Sequence, residues 1–279
     1  MRTLLKYILG SIAAYLAFFL IRQLFIFTYL FIELNIQRLE TPNLPIPTNK
    51  VLMSKYLRES ELVFRRRWLF PFKNYDLTLN RQPAEQVIVL VHGYTRSQTD
   101  WIWFRKQLKT NIPIYTANLS PKYGNIHEMA LSLATKIEAI KDETGCNNII
   151  IIAHSMGGIV AHHYAHNLDT ANRVSNIVAI GTPWYGTKLA FMEDSLNAQA
   201  IQPQSIFLNE LRQKIFNSPI KHYSIASRFD NMIYPWSSAL LDKDSEQKLI
   251  LEDVSHLAML FSNEVVEQIN TWLSAILLN

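Results

Sequence analysis

The feature of this sequence that most restricts its fold is a run of isoleucines that ends in a glycine-rich turn. Residues 149–158 are Ile-Ile-Ile-Ile-Ala-His-Ser-Met-Gly-Gly. An apolar run of this length predicts a parallel β-strand that is buried on both faces. A serine directly after such a strand, with a small residue two positions before and after it, is typical of a sharp strand-to-helix turn that exposes the hydroxyl group. Ala153 and Gly157 are those small residues, and Ser155 is therefore a candidate nucleophile.

Strands and helices alternate along the chain from residue 81 onward. Apolar runs predict strands over residues 87–91, 114–118, 149–152, 174–180, 221–226 and 248–251. Helical spacing predicts helices over residues 101–108, 126–143, 157–168 and 265–277. Strands that alternate with crossover helices form an α/β protein with a doubly wound, mostly parallel sheet, which is the fold class we predict. Such sheets bind ligands beyond the carboxyl ends of their strands, where the candidate site residues below lie.

Composition excludes several classes of function. With 279 residues and 49% of them hydrophobic, the chain can bury one large core, so one main domain is expected. A net charge of +4 gives no reason to expect a nucleic-acid partner, which calls for a strongly basic face. Cys146 is the only cysteine, so no intramolecular disulfide can form.

The first 32 residues differ from the rest of the chain. Nearly every side chain from Tyr7 to Ile32 is apolar, and a helix of about 26 residues is roughly 39 Å long, more than the ~30 Å of a bilayer core. Arg2 and Lys6 precede it, which favours a cytoplasmic amino terminus. We therefore predict a membrane anchor over residues 1–32, with the catalytic domain on the non-cytoplasmic (periplasmic) side. The alternatives are a cleaved signal peptide, although no small-residue cleavage site follows, and an amphipathic or buried core helix of a soluble protein.

A linker is predicted between the anchor and the main domain. Residues 41–48 contain three prolines, which cannot continue a helix, and we assign the linker to residues 33–60 and the catalytic domain to residues 61–279. The basic run at residues 65–67 is interpreted as a solvated face, with contact to anionic lipid as the alternative.

Candidate partners for the serine follow it in the chain. A serine hydroxyl needs a base to remove its proton and a carboxylate to orient that base, and in hydrolases with this turn the acid and then the histidine come after the serine. His256 follows a predicted strand and is the candidate base, whereas His222 begins a strand and is interpreted as structural. Asp230 also follows a strand and is the candidate acid, because Asp253 lies too near His256 along the chain.

Two backbone groups are candidates for stabilising an oxyanion. One is the N–H of Met156, the residue after the serine, and the other comes from the loop after the first strand of the domain. We assign this second donor to Tyr94, because Gly93 lets the chain turn sharply. No metal or other cofactor is expected. His162 and His166 are four residues apart on a predicted helix, a spacing that can bind a metal, but we interpret them as solvated helix histidines.

A long apolar insertion separates two of the strands. Residues 187–217 are rich in large apolar side chains and exceed the usual length of a connection. We interpret them as a lid whose apolar side faces acyl chains or lipid, and the alternative is a fixed cap packed on the core.

Taken together, five motifs resemble those of the bacterial α/β-hydrolase lipases. They are Val91–Tyr94, Ala153–Gly157, Gly181–Thr187, Asp230 ahead of a proline, and Ser255-His256. The Gly-Thr-Pro segment is also similar to one in deacylases of glycosylphosphatidylinositol. The resemblance implies an α/β-hydrolase fold, a triad of Ser155, Asp230 and His256, and oxyanion donors at Tyr94 and Met156. Ala153 departs from the commonest pattern, which has glycine there, and this leaves the subfamily open.

The expected function is hydrolysis of acyl esters, most of all those of lipids, through an acyl-enzyme on Ser155. The lipid substrate is suggested by the anchor and the apolar insertion. An acyltransferase that uses the same acyl-enzyme is the first alternative, and a non-catalytic lipid- or partner-binding protein of the same fold is the second. The expected partners are the acyl-ester substrate and the membrane, and the oligomeric state stays open.

Overall fold

A computed structural model of the chain describes residues 75–241 and 247–278 throughout, together with scattered positions between residues 6 and 62. The chain divides into two compact units, Met1–Glu61 and Leu62–Asn279. Much of the predicted anchor and linker, and all of residues 65–67, lie outside the described residues. Among the positions that are described, no helix combines the length and the hydropathy that a bilayer crossing requires. The anchor therefore stays a prediction.

Six strands form one sheet, in the order β2-β1-β3-β4-β5-β6. Each neighbouring pair is parallel, as predicted. The strands are β1 (Gln86–Val91), β2 (Ile114–Ala117), β3 (Asn148–His154), β4 (Val174–Ile180), β5 (Lys221–Ser227) and β6 (Gln247–Leu251). Within residues 75–241 and 247–278, the α-helices are α1 (Ile126–Thr144), α2 (Met156–Asn167), α3 (Leu196–Ala200), α4 (Ile206–Phe216) and α5 (Asn263–Leu277).

The isoleucine run of β3 supplies the core on both sides of the sheet. Ile149 and Ile151 pack into the cluster formed with α1, α2 and α4, whereas Ile150 and Ile152 pack into the cluster formed with α5. Successive side chains of a strand point to opposite faces, so an unbroken apolar run is what a strand between two helical layers needs. The prediction that this strand is buried on both faces is confirmed.

Both ends of α1 are set by residues that favour helix termini. Asn125 caps α1 through a capping box, in which its side chain accepts from the N–H of Glu128 and the side chain of Glu128 accepts from the N–H of Asn125. Gly145 ends the helix with φ 77°, a left-handed conformation that glycine adopts without strain.

One predicted helix is wrong. Residues 101–108 do not form an α-helix, and two short 3-10 helices, Gln98–Trp101 and Phe104–Gln107, occupy this region. Trp101 and Phe104 are both fully buried, and their rings meet edge to face with centroids 5.2 Å apart. Trp101 ends the first 3-10 helix and Phe104 begins the second, so the two rings pack together at the junction between these helices.

The predicted lid or cap consists of two parts of different character. Helix α4 buries Leu208, Leu211 and Ile215 in the same cluster as α1 and α2, so this half is packed on the core. The preceding part comprises a 3-10 helix, Lys188–Met192, and α3, and it leaves Phe191 62% exposed and Leu196 62% exposed. The fixed-cap alternative therefore describes α4, and the exposed apolar side chains lie mainly before it.

Candidate active site

Ser155 lies in a sharp turn between β3 and α2. Its φ of 58° and ψ of −134° are unusual for a residue with a side chain. The end of β4 and the residues after it hold this conformation, because the Ser155 N–H donates to the carbonyl of Ile180 (2.8 Å) and the Ser155 carbonyl accepts from Thr182 Oγ1 (2.8 Å). The strand-to-helix turn predicted around Ser155 is present.

The turn leaves no room for a side chain at residue 157. A methyl group at Gly157 would come within 2.5 Å of the carbonyl oxygen of His92 and 2.8 Å of that of Val91. Both of these atoms belong to backbone, which cannot move aside cheaply. The small residue that the sequence pattern required after the serine is therefore needed for close packing against the end of β1.

The loop after β1 lies directly beside the serine. A methyl group at Gly93 would come within 2.8 Å of Ser155 Cβ and 3.3 Å of Ser155 Oγ. Gly93 is therefore required for close approach, and the left-handed turn in this loop falls at Thr95, with φ 53°. The sequence argument had assigned the sharp turn to Gly93. Tyr94 follows this glycine, and its role as an oxyanion donor stays a prediction.

Met156 is the first residue of α2, directly after the serine. The first N–H groups of an α-helix have no acceptor within the helix, and the helix dipole adds partial positive charge at this end. Of the two residues assigned as oxyanion donors, Met156 follows Ser155 directly and Tyr94 follows Gly93, the residue that lies beside Ser155.

The side chain of Tyr94 connects the loop after β1 to the insertion at residues 187–217. Its hydroxyl group donates to the carboxylate of Glu193 and lies 3.2 Å from Oγ of Ser195, the N-cap residue of α3. Burial, followed by the hydrogen bond with Glu193, raises the pKa of Tyr94 to about 12. The phenol therefore stays protonated and able to donate at neutral pH.

Asp230 and His256, predicted as acid and base, are hydrogen-bonded to each other. His256 Nδ1 donates to Asp230 Oδ2 at 2.8 Å, and both residues are buried. The other oxygen, Asp230 Oδ1, accepts from the backbone N–H groups of Met232 and Ile233, each at 2.8 Å. Asn231 Oδ1 accepts from the backbone N–H of His256 at 3.0 Å. The pair is thus fixed through side chain and backbone.

Two contacts bring the His256 ring to the nucleophile turn. A Cβ atom at Gly181, which follows β4, would lie 3.1 Å from both Cε1 and Nδ1 of His256, so the ring lies against this glycine. The neighbouring Ile180 carbonyl accepts the Ser155 N–H. The ring of His154, the residue before the serine, also lies 4.6 Å from the ring of His256.

Sequence reasoning missed three residues that support this arrangement. Thr182 anchors the serine carbonyl, Asn231 anchors the backbone of His256, and His154 contacts the ring of His256. The Gly-Thr-Pro motif and the amide beside the candidate acid were visible signals for the first two. The rejected acid, Asp253, is exposed.

The other histidines are buried or paired rather than solvated. His162 is 1% exposed, and its ring nitrogens lie 3.0 Å from His222 Nδ1 and 3.3 Å from His166 Nε2. The interpretation of His162 as a solvated helix histidine is therefore wrong, because its side of α2 faces β5 and not the solvent. The structural interpretation of His222 agrees with its burial and with its contact to Ser224 Oγ at 3.0 Å.

Within residues 75–241 and 247–278, no group of three or more histidine, cysteine or acidic side chains is arranged to hold a metal ion. His92, in the β1 loop, has both ring nitrogens engaged, since Nδ1 donates to the Gly93 carbonyl and Nε2 accepts from the N–H of Leu119. Burial lowers the pKa of His92, which agrees with a neutral ring that supports the loop.

Comparison with known proteins identifies the fold. The sequence profile of the alpha/beta hydrolase fold family matches residues 86–224. A mature lipase from Bacillus licheniformis superposes with a TM-score of 0.57 at 18% identity, over 68% of this chain and 92% of that one. Lipase B from Aspergillus fumigatus gives a TM-score of 0.54 at 15% identity, over 67% of this chain and 52% of that one. At these identities the likeness shows the fold alone.

A curated relative matches part of the sequence. The abhydrolase domain-containing protein abhd-5.2 of Caenorhabditis elegans is 29% identical over 131 residues, which are 41% of this chain and 29% of that protein. The chain thus spans under a third of the length of this relative. The profile match ends at residue 224, before Asp230 and His256, so the assignment of these two residues depends on the geometry described above. The finer likenesses to bacterial lipases and to glycosylphosphatidylinositol deacylases stay predictions.

Proposed function

Because this chain has the alpha/beta hydrolase fold, with lipases among its structural neighbours, we propose that it is a serine hydrolase that cleaves acyl esters of lipids. The observation that carries the proposal is the 2.8 Å hydrogen bond from His256 Nδ1 to Asp230 Oδ2, beside the turn that holds Ser155. With its proton on Nδ1, the imidazole keeps Nε2 free of hydrogen, so Nε2 is the nitrogen that can accept a proton from a serine hydroxyl.

The proposed reaction has two halves. Ser155 Oγ attacks the ester carbonyl while His256 takes the hydroxyl proton, and the N–H groups of Tyr94 and Met156 stabilise the oxyanion. His256 then returns the proton to the departing alcohol, which leaves an ester on Ser155. In the second half a water molecule attacks this ester with His256 as base. The carboxylic acid is released and Ser155 recovers its proton.

A lipid substrate is supported by the surface of the cap. Phe191 and Leu196 are each 62% exposed, and Ile206 at the start of α4 is 76% exposed. This segment contacts the loop after β1 through Glu193. Its exposed, large apolar side chains could bind acyl chains beside the candidate site. The predicted anchor over residues 1–32 adds to this, and we propose that the enzyme works at the non-cytoplasmic face of a membrane.

Labelling with a fluorophosphonate probe tests the nucleophile. The full-length wild-type protein in detergent should be labelled, whereas Ser155→Ala should not. Ser274→Ala, at an exposed position of α5, is the matched control and should be labelled like wild type. Labelling that persists in Ser155→Ala would exclude Ser155 as the nucleophile.

Product analysis tests the reaction and the substrate class. A lipid extract is profiled before and after exposure to wild type and to Ser155→Ala, with and without an added alcohol acceptor. Free fatty acid that appears only with the wild type supports the hydrolase. New esters of the added alcohol in place of fatty acid would identify an acyltransferase, and unchanged lipids together with cleavage of short water-soluble esters would exclude the lipid substrate.

A further inference from the structure

His154 contacts the candidate base in two ways. Its Nε2–H donates to the backbone carbonyl of His256 at 3.1 Å, since a carbonyl oxygen can only accept. The two imidazole rings also lie 4.6 Å apart at a tilt of 43°. His154 directly precedes Ser155, so one residue connects the nucleophile turn to the loop that carries the base.

The surroundings of His154 fix its protonation state. The residue is 2% exposed, and its Nδ1 has no hydrogen-bond partner among the described residues. Burial, reinforced by the neighbouring His256, keeps the pKa of His154 well below its ordinary value. The side chain therefore holds one proton, on Nε2, where the hydrogen bond requires it.

We propose that His154 is a positioning residue, which holds His256 at the nucleophile through the bond from Nε2–H to the His256 carbonyl. This inference builds on the proposed function, because it assumes that His256 is the base for Ser155. His154 is the last residue of β3, so its backbone position is fixed by the sheet. The hydrogen bond to the His256 carbonyl therefore holds the loop of His256 at a fixed distance from the Ser155 turn.

Charged groups around the pair come from two segments, one after β5 and one after β1. Asp230, after β5, accepts from the ring of His256. Arg96 and Asp100, in the segment after β1, act on His154 with opposite signs, Asp100 raising and Arg96 lowering its pKa. Arg96 and Asp100 also form an ion pair with each other at 2.9 Å. The neutral state of His154 thus follows mainly from its burial.

Two substitutions separate the hydrogen bond from the packing. His154→Gln retains an N–H donor near the Nε2 position but loses the ring, whereas His154→Phe retains a ring and loses the donor. The rate of fluorophosphonate labelling at Ser155 should fall about 5- to 10-fold in His154→Phe, as expected for one lost hydrogen bond, and stay within about 3-fold of wild type in His154→Gln. The thermal midpoint should show the opposite order, because a buried amide oxygen without a donor destabilises the glutamine variant more than an apolar ring does.

A merely structural role predicts that labelling follows stability in both variants. Labelling of His154→Phe at the wild-type rate, or equal losses in both variants, would therefore overturn the proposal. A wild-type protein that is folded but not labelled would instead exclude the proposed function, so the two failures are distinguishable.

NMR of the wild-type protein with ¹⁵N-labelled histidine gives a test that needs no variant. His154 should be the neutral Nε2–H tautomer at pH 6.5, where an ordinary histidine is half protonated. An Nδ1–H tautomer, or protonation of His154 near pH 6.5, would show that the proposed hydrogen bond is absent or that the site is not dry, and would overturn the proposal even if both variants failed to fold.

Discussion

Asp230 has both carboxylate oxygens engaged, and its side chain is fully buried. Oδ2 accepts from the base and Oδ1 accepts from two backbone N–H groups of the same turn. The backbone bonds set the orientation of the carboxylate independently of the imidazole, because their donors lie only two and three positions further along the chain. A carboxylate held in this way fixes the tautomer of His256.

Replacement of this carboxylate by an amide should remove activity without loss of fold. In Asp230→Asn, the oxygen can still accept from Met232 and Ile233, and the NH₂ group then faces His256 Nδ1. The imidazole must then carry its proton on Nε2, and a protonated Nε2 cannot accept the hydroxyl proton of Ser155. We expect kcat/KM for an acyl ester to fall on the order of 10³- to 10⁴-fold.

The matched control is Asp253→Asn, because Asp253 is an exposed carboxylate three positions before His256. It should retain wild-type kcat/KM, and circular dichroism should show both variants folded. A large loss in Asp253→Asn with little loss in Asp230→Asn would reverse the assignment of the acid.

At the scale of elements, the cap consists of a packed helix and a more exposed entry segment. Leu208 of α4 is fully buried, whereas Ile206, two residues earlier, is 76% exposed. Apolar residues that recur at three- and four-residue spacing face the core, and those between them face the solvent. A helix with such a buried face is part of the domain core, so movement of the cap is expected to leave α4 in place.

Two substitutions in α4 test this division. Leu208→Ala should reduce the free energy of unfolding by about 2–5 kcal/mol, through lost burial and the cavity it leaves. Ile206→Ser, at the exposed position, should change it by less than about 0.5 kcal/mol. Denaturant titration measures both, and a small effect of Leu208→Ala would show that α4 is a mobile lid after all.

The sequence predicted those elements whose pattern is local and long. The unbroken isoleucines of β3 predict a strand and the spaced apolar residues of α1 predict a helix, because strand and helix periods differ. The segment around Trp101 was assigned wrongly, since a few apolar residues at helical spacing cannot distinguish an α-helix from short 3-10 turns. The order of serine, acid and base limited the candidates enough to select Asp230 and His256, which the structure brings within hydrogen-bond distance.

Contacts between distant parts of the chain could not be predicted in the same way. Nothing in the local pattern indicates that His154 meets a residue 102 positions further along the chain, or that His162 faces His222 across the core. The close approach of Gly93 to Ser155 likewise depends on the pairing of β1 with β3. Such features follow from the assembled sheet.

At the scale of the whole molecule, buried and half-buried histidines are expected to make the fold sensitive to acid. The pKa values of His92, His154 and His163 are all lowered in the folded protein, each mainly by burial, and that of His163 lies at about 4. An unfolded chain protonates histidine near pH 6.5. Below this pH the unfolded state binds more protons than the folded state, so stability is present above about pH 6.5 and is lost as the pH falls toward the folded pKa.

The carboxyl group of Asp76 affects stability at a lower pH than the histidines do. Its pKa is lowered by hydrogen bonds with Thr78, so its contribution is lost only below its ordinary value of 3.8. The thermal midpoint should therefore decline between about pH 6.5 and pH 4 through the histidines. In His163→Gln this decline should be less steep, because an amide does not titrate, while above about pH 7.5 the variant and wild-type curves should run parallel. If the thermal midpoint of His163→Gln declined as steeply with falling pH as that of the wild type, His163 would not contribute to the acid sensitivity.

The arrangement of the site along the chain has a consequence for biosynthesis. The ribosome completes Ser155 about a hundred residues before it completes His256, and at about 5–20 residues per second this interval lasts roughly 5 to 20 s. Throughout it the nascent polypeptide carries the nucleophile without the base that activates it. The proposed lipid-cleaving chemistry therefore requires translation beyond β6, so a chain that stalls before His256 is expected to leave nearby membranes intact.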